Sequence, residues 1–176
     1  MKKGTKQLIA LIIVLAVCIG IYLGISLKPE IDTKTDDTKT KLSPDLGTIT
    51  SLSYYNGSET IDLENIDGSW VLISDKSYPI DSSIIDSFVK VFTSVVSSRT
   101  VSTEESLENY GLDDPKVVTV TDDTGTSFTL RVGNAAGSNS YVQLENDETI
   151  YLVSQSANYY ASKSLSELAV TDDSNQ

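Results

Sequence analysis

The stretch KVVTVTDDTGTSFTLRVG, residues 116–133, carries the clearest structural signal in this chain of 176 residues. Apolar and polar side chains alternate on both sides of the sequence DDTG, and a period of two is typical of half-buried strands. Asp, Thr and Gly together favour a tight turn. The stretch therefore predicts an antiparallel hairpin whose inward side chains are apolar: Val118, Val120, Phe128, Leu130 and Val132.

The chain before this hairpin shows the same succession of strands and turns. Asn56-Gly57 is a strong hairpin signal, and Asp67-Gly68 marks a second turn. The apolar residues of the three flanking segments are spaced as in strands: Ile49, Leu52, Tyr54, Ile61, Leu63, Trp70 and Leu72. These residues predict a three-stranded meander.

Each half of the chain continues with a helical pattern. After Asp81, which suits an N-cap, apolar residues recur with helical spacing at positions 84, 85, 88, 89, 92, 95 and 96. In the second half, strands at residues 141–144 and 149–153 precede a helix that begins near Ser156. Its apolar positions are Ala157, Tyr160, Ala161, Leu165 and Leu168. We therefore expect an α+β fold of two β-meander-plus-helix repeats, forming antiparallel sheets with packed helices.

An uncharged run precedes this domain. Residues 8–27, LIALIIVLAVCIGIYLGISL, are long enough as a helix to span a bilayer and too long for the apolar region of a signal peptide. Residues 1–7 carry three lysines and no acid, so we expect them in the cytoplasm and the domain outside the cell membrane. Lipidation at Cys18 is an alternative that the weak match of the preceding residues disfavours.

Charge separates the remaining parts of the chain. Residues 28–43, KPEIDTKTDDTKTKLS, have balanced charge and little apolar content, which predicts a disordered linker. The domain at residues 44–170 carries 19 acidic and six basic residues, a net charge of −13. Residues 171–176 form a polar tail with two aspartates. The chain's net charge of −12 therefore understates the acidity of the domain.

Composition excludes several classes of function. The chain has no histidine and its one cysteine is Cys18, which excludes histidine-dependent triads, Cys/His zinc sites and disulfide frameworks in the domain. Strong acidity disfavours nucleic-acid binding, because phosphate contacts need clustered Lys and Arg. We predict no catalytic, cofactor-binding or metal-binding residue.

The sequence STEESLENYGLDDP, residues 102–115, joins the two halves. Ser102 with Glu105 fits a capping box at the start of a short helix. Gly111 fits the left-handed position after its end, Leu112 follows, and Pro115 prevents the helix from resuming. Residues Tyr110, Gly111, Leu112 and Pro115 are thus interpreted as a structural helix stop.

This stop lies within a wider pattern of short, ordered motifs. The pattern comprises Trp70, Tyr78-Pro79, Arg99 to Val101, Tyr110-Gly111-Leu112 with Pro115, Leu130 to Gly133, Tyr141-Val142, and Ile150 to Val153. In these motifs the chain resembles the domain of unknown function 4340 (DUF4340) family of bacterial extracytoplasmic domains. The resemblance implies an envelope location, and some members occur with gliding-motility-type ABC transport components. It implies no catalytic residues.

Several local patterns have a structural explanation beside a chemical one. Ser87 and Lys90 have the spacing of a serine nucleophile and its base, but both fall on the solvent side of the predicted helix. Asp113-Asp114 and Asp122-Asp123 could serve as paired carboxylates or calcium ligands, yet both occupy predicted turns. Asn56-Gly57-Ser58 fits a glycosylation acceptor, but we interpret it as a turn. Gly133 to Gly137 could suggest a phosphate loop, but we interpret it as a hairpin loop.

Exposed tyrosines are the best candidates for contact with a partner. In each of the pairs Tyr54-Tyr55 and Tyr159-Tyr160, one ring is expected inside and the other outside, which selects Tyr55 and Tyr159. We expect a membrane-anchored extracytoplasmic binding or scaffold module for an envelope protein, such as an ABC transporter component. A glycan-binding module using exposed tyrosines is the alternative, and a carboxylate-dependent hydrolase is the less favoured one.

Overall fold

The computed structural model describes residues 39–101 and 105–170, which are mostly antiparallel sheet with a few helices. The strands are β1 (Thr40–Lys41), β2 (Ile49–Tyr55), β3 (Thr60–Ile66), β4 (Ser69–Leu72), β5 (Val96–Ser97), β6 (Arg99–Val101), β7 (Lys116–Asp122), β8 (Ser127–Ala136), β9 (Asn139–Leu144) and β10 (Ile150–Ser154). The helices are α1 (Ser82–Thr93), α2 (Leu107–Tyr110), α3 (Ser156–Ala161) and a 3₁₀ helix (Leu165–Leu168).

The strands of both halves of the chain belong to one sheet. Its order is β4-β3-β2-β7-β8-β9-β10-β6, and every pair is antiparallel. The sequence predicted a sheet for each half, whereas the pairing of β2 with β7 fuses the two meanders. β1 and β5 form a separate two-stranded ribbon.

The hairpin at residues 116–133 is confirmed. Val118 pairs with Leu130 and Val120 with Phe128, so the apolar side chains of β7 and β8 share one face of the sheet. The turn at Asp67-Gly68 is also confirmed, because both residues have positive φ, 52° and 87°. Such angles match the right-handed twist of the adjoining strands.

One face of the sheet holds the main hydrophobic core. Phe88 of α1 is fully buried, with ring centroids 4.9 Å from Tyr54 and 5.1 Å from Phe92. Ala157 and Ala161 of α3 complete this layer against the strands. The helices therefore cover the face to which Tyr54 points.

Helix α1 begins as predicted and ends earlier. The Asp81 side chain accepts a hydrogen bond from the Ser83 amide at 2.9 Å, which confirms the N-cap. The sequence pattern extended the helix to Val96, but it ends at Thr93. The carbonyl of Thr93 accepts the Ser43 hydroxyl at 2.8 Å, and the carbonyl of Val95 accepts the Leu42 amide at 2.9 Å. These bonds to the start of the domain hold the chain after Thr93 in a non-helical path.

The final helical segment is interrupted, although the sequence predicted one helix. α3 ends at Ala161, and a 3₁₀ helix follows after Ser164. The Lys163 carbonyl between them accepts hydrogen bonds from the Tyr54 hydroxyl at 3.0 Å and the Asn56 amide group at 3.1 Å. A carbonyl held by the first half of the chain is withdrawn from the helical ladder, so the helix cannot continue.

The junction contains the predicted helix stop. Gly111 has φ 65°, its amide bonds the Glu108 carbonyl, and the Leu112 amide bonds the Leu107 carbonyl, which together form a Schellman motif. The start differs, because the N-cap of α2 is Ser106, whose hydroxyl accepts from the Glu108 amide. The predicted capping box begins at residue 102, and residues 102–104 lie outside the described part.

The N-terminal predictions fall largely outside the described residues. Both the cytoplasmic segment 1–7 and the membrane segment 8–27 do so, as does the linker up to residue 38. Within residues 39–101 and 105–170, no helix is both long and apolar enough to cross a bilayer. The end of the predicted linker differs from expectation, because Thr40–Lys41 pairs with Val96–Ser97 and Ser43 is buried. The folded unit thus starts before residue 44.

Candidate functional site

Tyr159 is the most exposed aromatic residue of the described domain, with 60% of its surface accessible. It lies on α3 beside Tyr160, and the two ring centroids are 5.1 Å apart in an edge-to-face arrangement. Tyr160 in turn contacts the buried Phe88 ring, with centroids 5.5 Å apart. The prediction that one ring of this pair points inward and the other outward is confirmed. The outer ring is therefore supported by the core.

Lys163 lies four residues after Tyr159, just beyond the end of α3, and covers part of its ring. The ammonium nitrogen is 4.6 Å from the ring centroid, within the range of a cation–π interaction. The Lys163 side chain is only 11% exposed. Its nearest carboxylate oxygen, Oε1 of Glu167, is 3.8 Å away, near the limit for an ion pair. The site thus holds a largely buried lysine whose one counter-charge in the described part of the chain is distant.

Hydrogen bonds from the β2–β3 hairpin fix the backbone of Lys163. Its carbonyl accepts from the Tyr54 hydroxyl and the Asn56 side-chain amide, as described above. Burial, together with the nearby carboxylates of Glu59 and Glu167, raises the pKa of Tyr54, so its hydroxyl remains a donor throughout the neutral range. The position of Lys163 therefore depends on residues more than a hundred positions earlier in the chain.

Two shallow grooves adjoin the Tyr159 ring. The first, of about 200 Å³, lies between α1 and α3, and the second, of about 470 Å³, lies beside the start of α3. The lining of the first comprises Ser83, Ile84, Ser87, Tyr159, Tyr160 and Lys163. The lining of the second comprises Ser138, Ser154, Gln155, Ser156 and Tyr159. We call Tyr159 with the lining of the first groove the Tyr159 surface.

Tyr55, the other predicted contact residue, lies elsewhere. Successive side chains of a strand point to opposite faces, and Tyr54 points into the core under α1. Tyr55 is half-buried on the opposite face of the sheet, where it pairs with Val117 of β7. The two candidate tyrosines therefore belong to different surfaces.

The helix stop also lies on that opposite face. Tyr110 and Leu112 are buried with Ile150 in a second, smaller cluster, and the Tyr110 and Tyr141 rings are 4.9 Å apart. Burial raises the pKa of Tyr110. Pro115 is buried just before β7. These residues fix α2 against the sheet, in agreement with a structural interpretation.

The two carboxylates of the predicted pair Asp122-Asp123 lie in different environments. Asp122 accepts hydrogen bonds from the amides of Gly47, Thr124 and Thr126, each at 2.9 Å. These bonds lower the pKa of Asp122 to about 2. Its neighbour Asp123 is exposed. Asp122 therefore organises its own turn and ties it to the segment before β2.

The loop predicted at Gly133 to Gly137 is wrong, because β8 continues to Ala136, whereas the other predicted patterns occupy exposed positions. Ser87 donates to the Ser83 carbonyl at 3.0 Å, and both Ser87 and Lys90 are exposed on α1. Asp113 and Asp114 are exposed as well. Among the described residues, no three Asp, Glu, His or Cys side chains are placed to hold a metal ion together.

Lys163 belongs to the Tyr159 surface, but it was not among the residues predicted from the sequence, although Tyr159 was. Its spacing of four from Tyr159 and from Glu167 is the local signal that could have identified it, because residues four apart in a helix share a face. Its burial could not be read from the sequence, since that depends on Tyr54 and Asn56.

Comparisons with known proteins concern the domain as a whole. No curated protein and no solved structure is similar enough to this chain to match it. The family model described as "Domain of unknown function (DUF4340)" matches residues 70–172, more than half of the chain. That range includes α1, the helix stop, β7 to β10 and the Tyr159 surface. The chain is therefore a member of the DUF4340 family.

Proposed function

We propose that this chain is a membrane-anchored extracytoplasmic binding module, rather than an enzyme, and that the Tyr159 surface contacts a protein of the cell envelope. Residues 8–27 would anchor it, with residues 1–7 in the cytoplasm, and residues 28–39 would tether the domain. The partner we favour is a component of an ABC-type or gliding-type envelope transport system. The family resemblance supports this class of partner.

The observation that carries the proposal is the Tyr159 ring itself. It is largely exposed and yet held by Tyr160 on one side and Lys163 on another. An aromatic side chain that is already ordered loses little conformational entropy on binding and offers a large contact area. Such rings are common anchors of protein interfaces.

Charge supports a partner with a basic surface. The domain has a net charge of −13 at residues 44–170, so its field attracts positively charged proteins and repels anionic polymers at close range. At physiological salt this interaction acts over about 8 Å. We therefore expect electrostatic complementarity between the two surfaces close to the contact to select the partner.

Site-specific photo-crosslinking in intact cells tests the proposal. A photoreactive phenylalanine analogue placed at position 159 is expected to give a defined adduct with an envelope transport protein, identified by mass spectrometry. The same analogue at position 55, on the opposite face of the sheet, is the matched control and is expected to give none. Absence of any adduct at position 159, with the protein present at its normal level, would contradict the proposal.

Glycan binding is the alternative that a specific observation favours. The second groove joins the Tyr159 ring to the hydroxyl-bearing residues Ser138, Ser154 and Ser156, an arrangement in which a sugar could stack and accept hydrogen bonds. Titration of the full chain in detergent with soluble cell-wall fragments tests this idea. Saturable quenching of tyrosine fluorescence that disappears in Tyr159→Ala is expected for a glycan site.

We also propose that the two halves derive from one duplicated unit. A meander followed by a helix occurs as β2–β4 with α1 and again as β7–β10 with α3. This common order supports the proposal, although the two meanders differ in strand number.

A further inference from the structure

We propose that the Tyr159 surface binds the side-chain carboxylate of a glutamate or aspartate on the protein partner, with Lys163 as its counter-ion. This inference rests on the proposed function and specifies the chemistry that the partner brings to the first groove. It is carried by the burial of Lys163, by its neighbours and by the size of the groove.

The ammonium group of Lys163 has unused hydrogen-bonding capacity. It has three donors, yet within the described residues its charged contact is a single 3.8 Å approach to Glu167 Oε1. The other carboxylate oxygen of Glu167 already accepts from the Ser164 amide at 2.8 Å and the Ser164 hydroxyl at 2.9 Å. The capping box therefore fixes Glu167 through this oxygen, with its other oxygen 3.8 Å from Lys163.

Burial makes a second counter-charge favourable. Lys163 is 9% exposed as a residue, and a charge with so little access to water gains from a paired and hydrogen-bonded counter-charge. Lys163 lines the first groove together with Ser83, Ser87 and Tyr159. A carboxylate entering there would complete the coordination of the ammonium group.

The groove walls suit the stem of an acidic side chain. Ile84 and the rings of Tyr159 and Tyr160 provide apolar contact for methylene groups, while Lys163 lies beside them. A volume of about 200 Å³ admits one side chain, and the groove is shallow and open to the surface. A segment of the partner can thus cross the surface and direct a single glutamate or aspartate inward.

Nearby acids limit the ligand to one carboxylate. Glu167 contacts Lys163, and Asp81 accepts from Ser83 at the groove's edge. A run of acidic residues would meet these groups and the acidic domain around them, whereas one carboxylate on an otherwise neutral or basic segment would not. This agrees with the basic partner proposed above.

Binding of small probes to the full chain in detergent micelles tests the inference. The probes are N-acetyl-glutamate amide, its uncharged isostere N-acetyl-glutamine amide, and N-acetyl-alanine, whose only carboxylate is that of the main chain. With ¹³C-labelled tyrosine rings, saturable shifts of the Tyr159 signals are expected for the glutamate probe at an affinity about tenfold above the glutamine probe. Equal affinities for these two probes would overturn the inference.

Three variants make the test specific. Lys163→Met keeps the aliphatic stem and is expected to abolish the preference for the glutamate probe, whereas Lys90→Met removes an equal charge from an exposed position of α1 and is expected to keep it. Glu167→Gln, which preserves a capping box, is expected to tighten binding roughly two- to threefold. Unchanged preference in Lys163→Met would refute the role of this lysine.

The remaining outcomes separate the inference from the proposed function. If N-acetyl-alanine binds and the glutamate probe does not, the assigned source of the carboxylate is wrong. If no probe binds while position 159 still crosslinks to an envelope protein, the carboxylate inference fails and the proposed function stands. If the glutamate probe binds but no crosslink forms, the site is real and the proposed partner class is wrong.

Discussion

A Cβ atom on Gly133 would lie 2.2 Å from the carbonyl oxygen of Tyr110. The carbonyl of Gly111 would be 3.1 Å from the same atom, so β8 passes directly against the end of α2. Both glycines lie in stretches that carry the family resemblance, Tyr110-Gly111-Leu112 and Leu130 to Gly133. Gly111 and Gly133 are far apart in the sequence, but their backbones approach each other at this one point.

Gly133→Ala is therefore expected to destabilise the domain by roughly 1–3 kcal/mol, because backbone atoms must move to admit the methyl group. The measurement is the midpoint of urea unfolding. Gly125→Ala is the control, since its Cβ would meet open space and only the left-handed conformation at φ 83° is unfavourable, by about 1 kcal/mol. A smaller loss for Gly133→Ala than for the control would contradict the close approach.

Ser140→Ala is expected to stabilise the domain by about 1 kcal/mol. The Ser140 hydroxyl is fully buried and has no hydrogen-bond partner within residues 39–101 and 105–170, so its removal ends a desolvation penalty. The urea midpoint should rise without a change in slope.

The matched control for this prediction is Ser97→Ala. Ser97 is also buried, but its hydroxyl donates to the Arg99 carbonyl at 3.0 Å. Its replacement is expected to lower stability by about 1 kcal/mol. If both variants moved the urea midpoint in the same direction, burial alone, and not hydrogen bonding, would determine how removal of the hydroxyl affects stability.

Asp122→Asn is expected to weaken the domain at pH 7 and to flatten its acid sensitivity. The pKa of Asp122 is about 2 in the folded state and 3.8 as the ordinary value, so the ionised form is favoured by folding. Its contribution is complete above pH 4 and is lost as the pH falls toward 2. Urea midpoints at pH 7 and pH 3 should therefore differ less in the variant than in the natural chain, while the exposed Asp123→Asn keeps the larger difference.

Ser43→Ala tests whether the end of the predicted linker belongs to the folded unit. The buried Ser43 hydroxyl donates to the Thr93 carbonyl at 2.8 Å, so its loss is expected to lower stability by about 1 kcal/mol. Ser58→Ala, at the exposed tip of the β2–β3 hairpin, should leave the urea midpoint unchanged. An equally unchanged midpoint in Ser43→Ala would show that this contact contributes nothing.

Local patterns in the sequence predicted the hairpin at residues 116–133 and the helix stop at Gly111, but not the strands β1, β5 and β6. The register that pairs Val118 with Leu130 follows from alternation around one turn, and the stop at Gly111 follows from backbone geometry available to few other residues. Both features depend on residues no more than 12 positions apart, the separation of Val118 and Leu130. Features of this kind can be predicted from the local sequence alone.

Long-range contacts account for what the sequence did not predict. The union of two meanders depends on the pairing of Leu52 with Val120, and no local pattern encodes that choice. The early end of α1 depends on Ser43, and the buried position of Lys163 depends on Tyr54. Exposure of Tyr159 was predicted from helical pitch, whereas the groove beside it required the packing of α1 on α3.

The order of strands in the sheet also constrains how the chain matures. During synthesis β2 emerges long before β7, so a central strand waits with one edge unpaired, and unpaired edges invite association with other chains. β6 waits for a strand that is made later still, since Val101 pairs with Ile150 near the end of the chain. Neither half of the chain can complete its strand pairing without the other. The domain is therefore vulnerable to aggregation until its last strand is made, and a nascent chain would benefit from a chaperone until that moment.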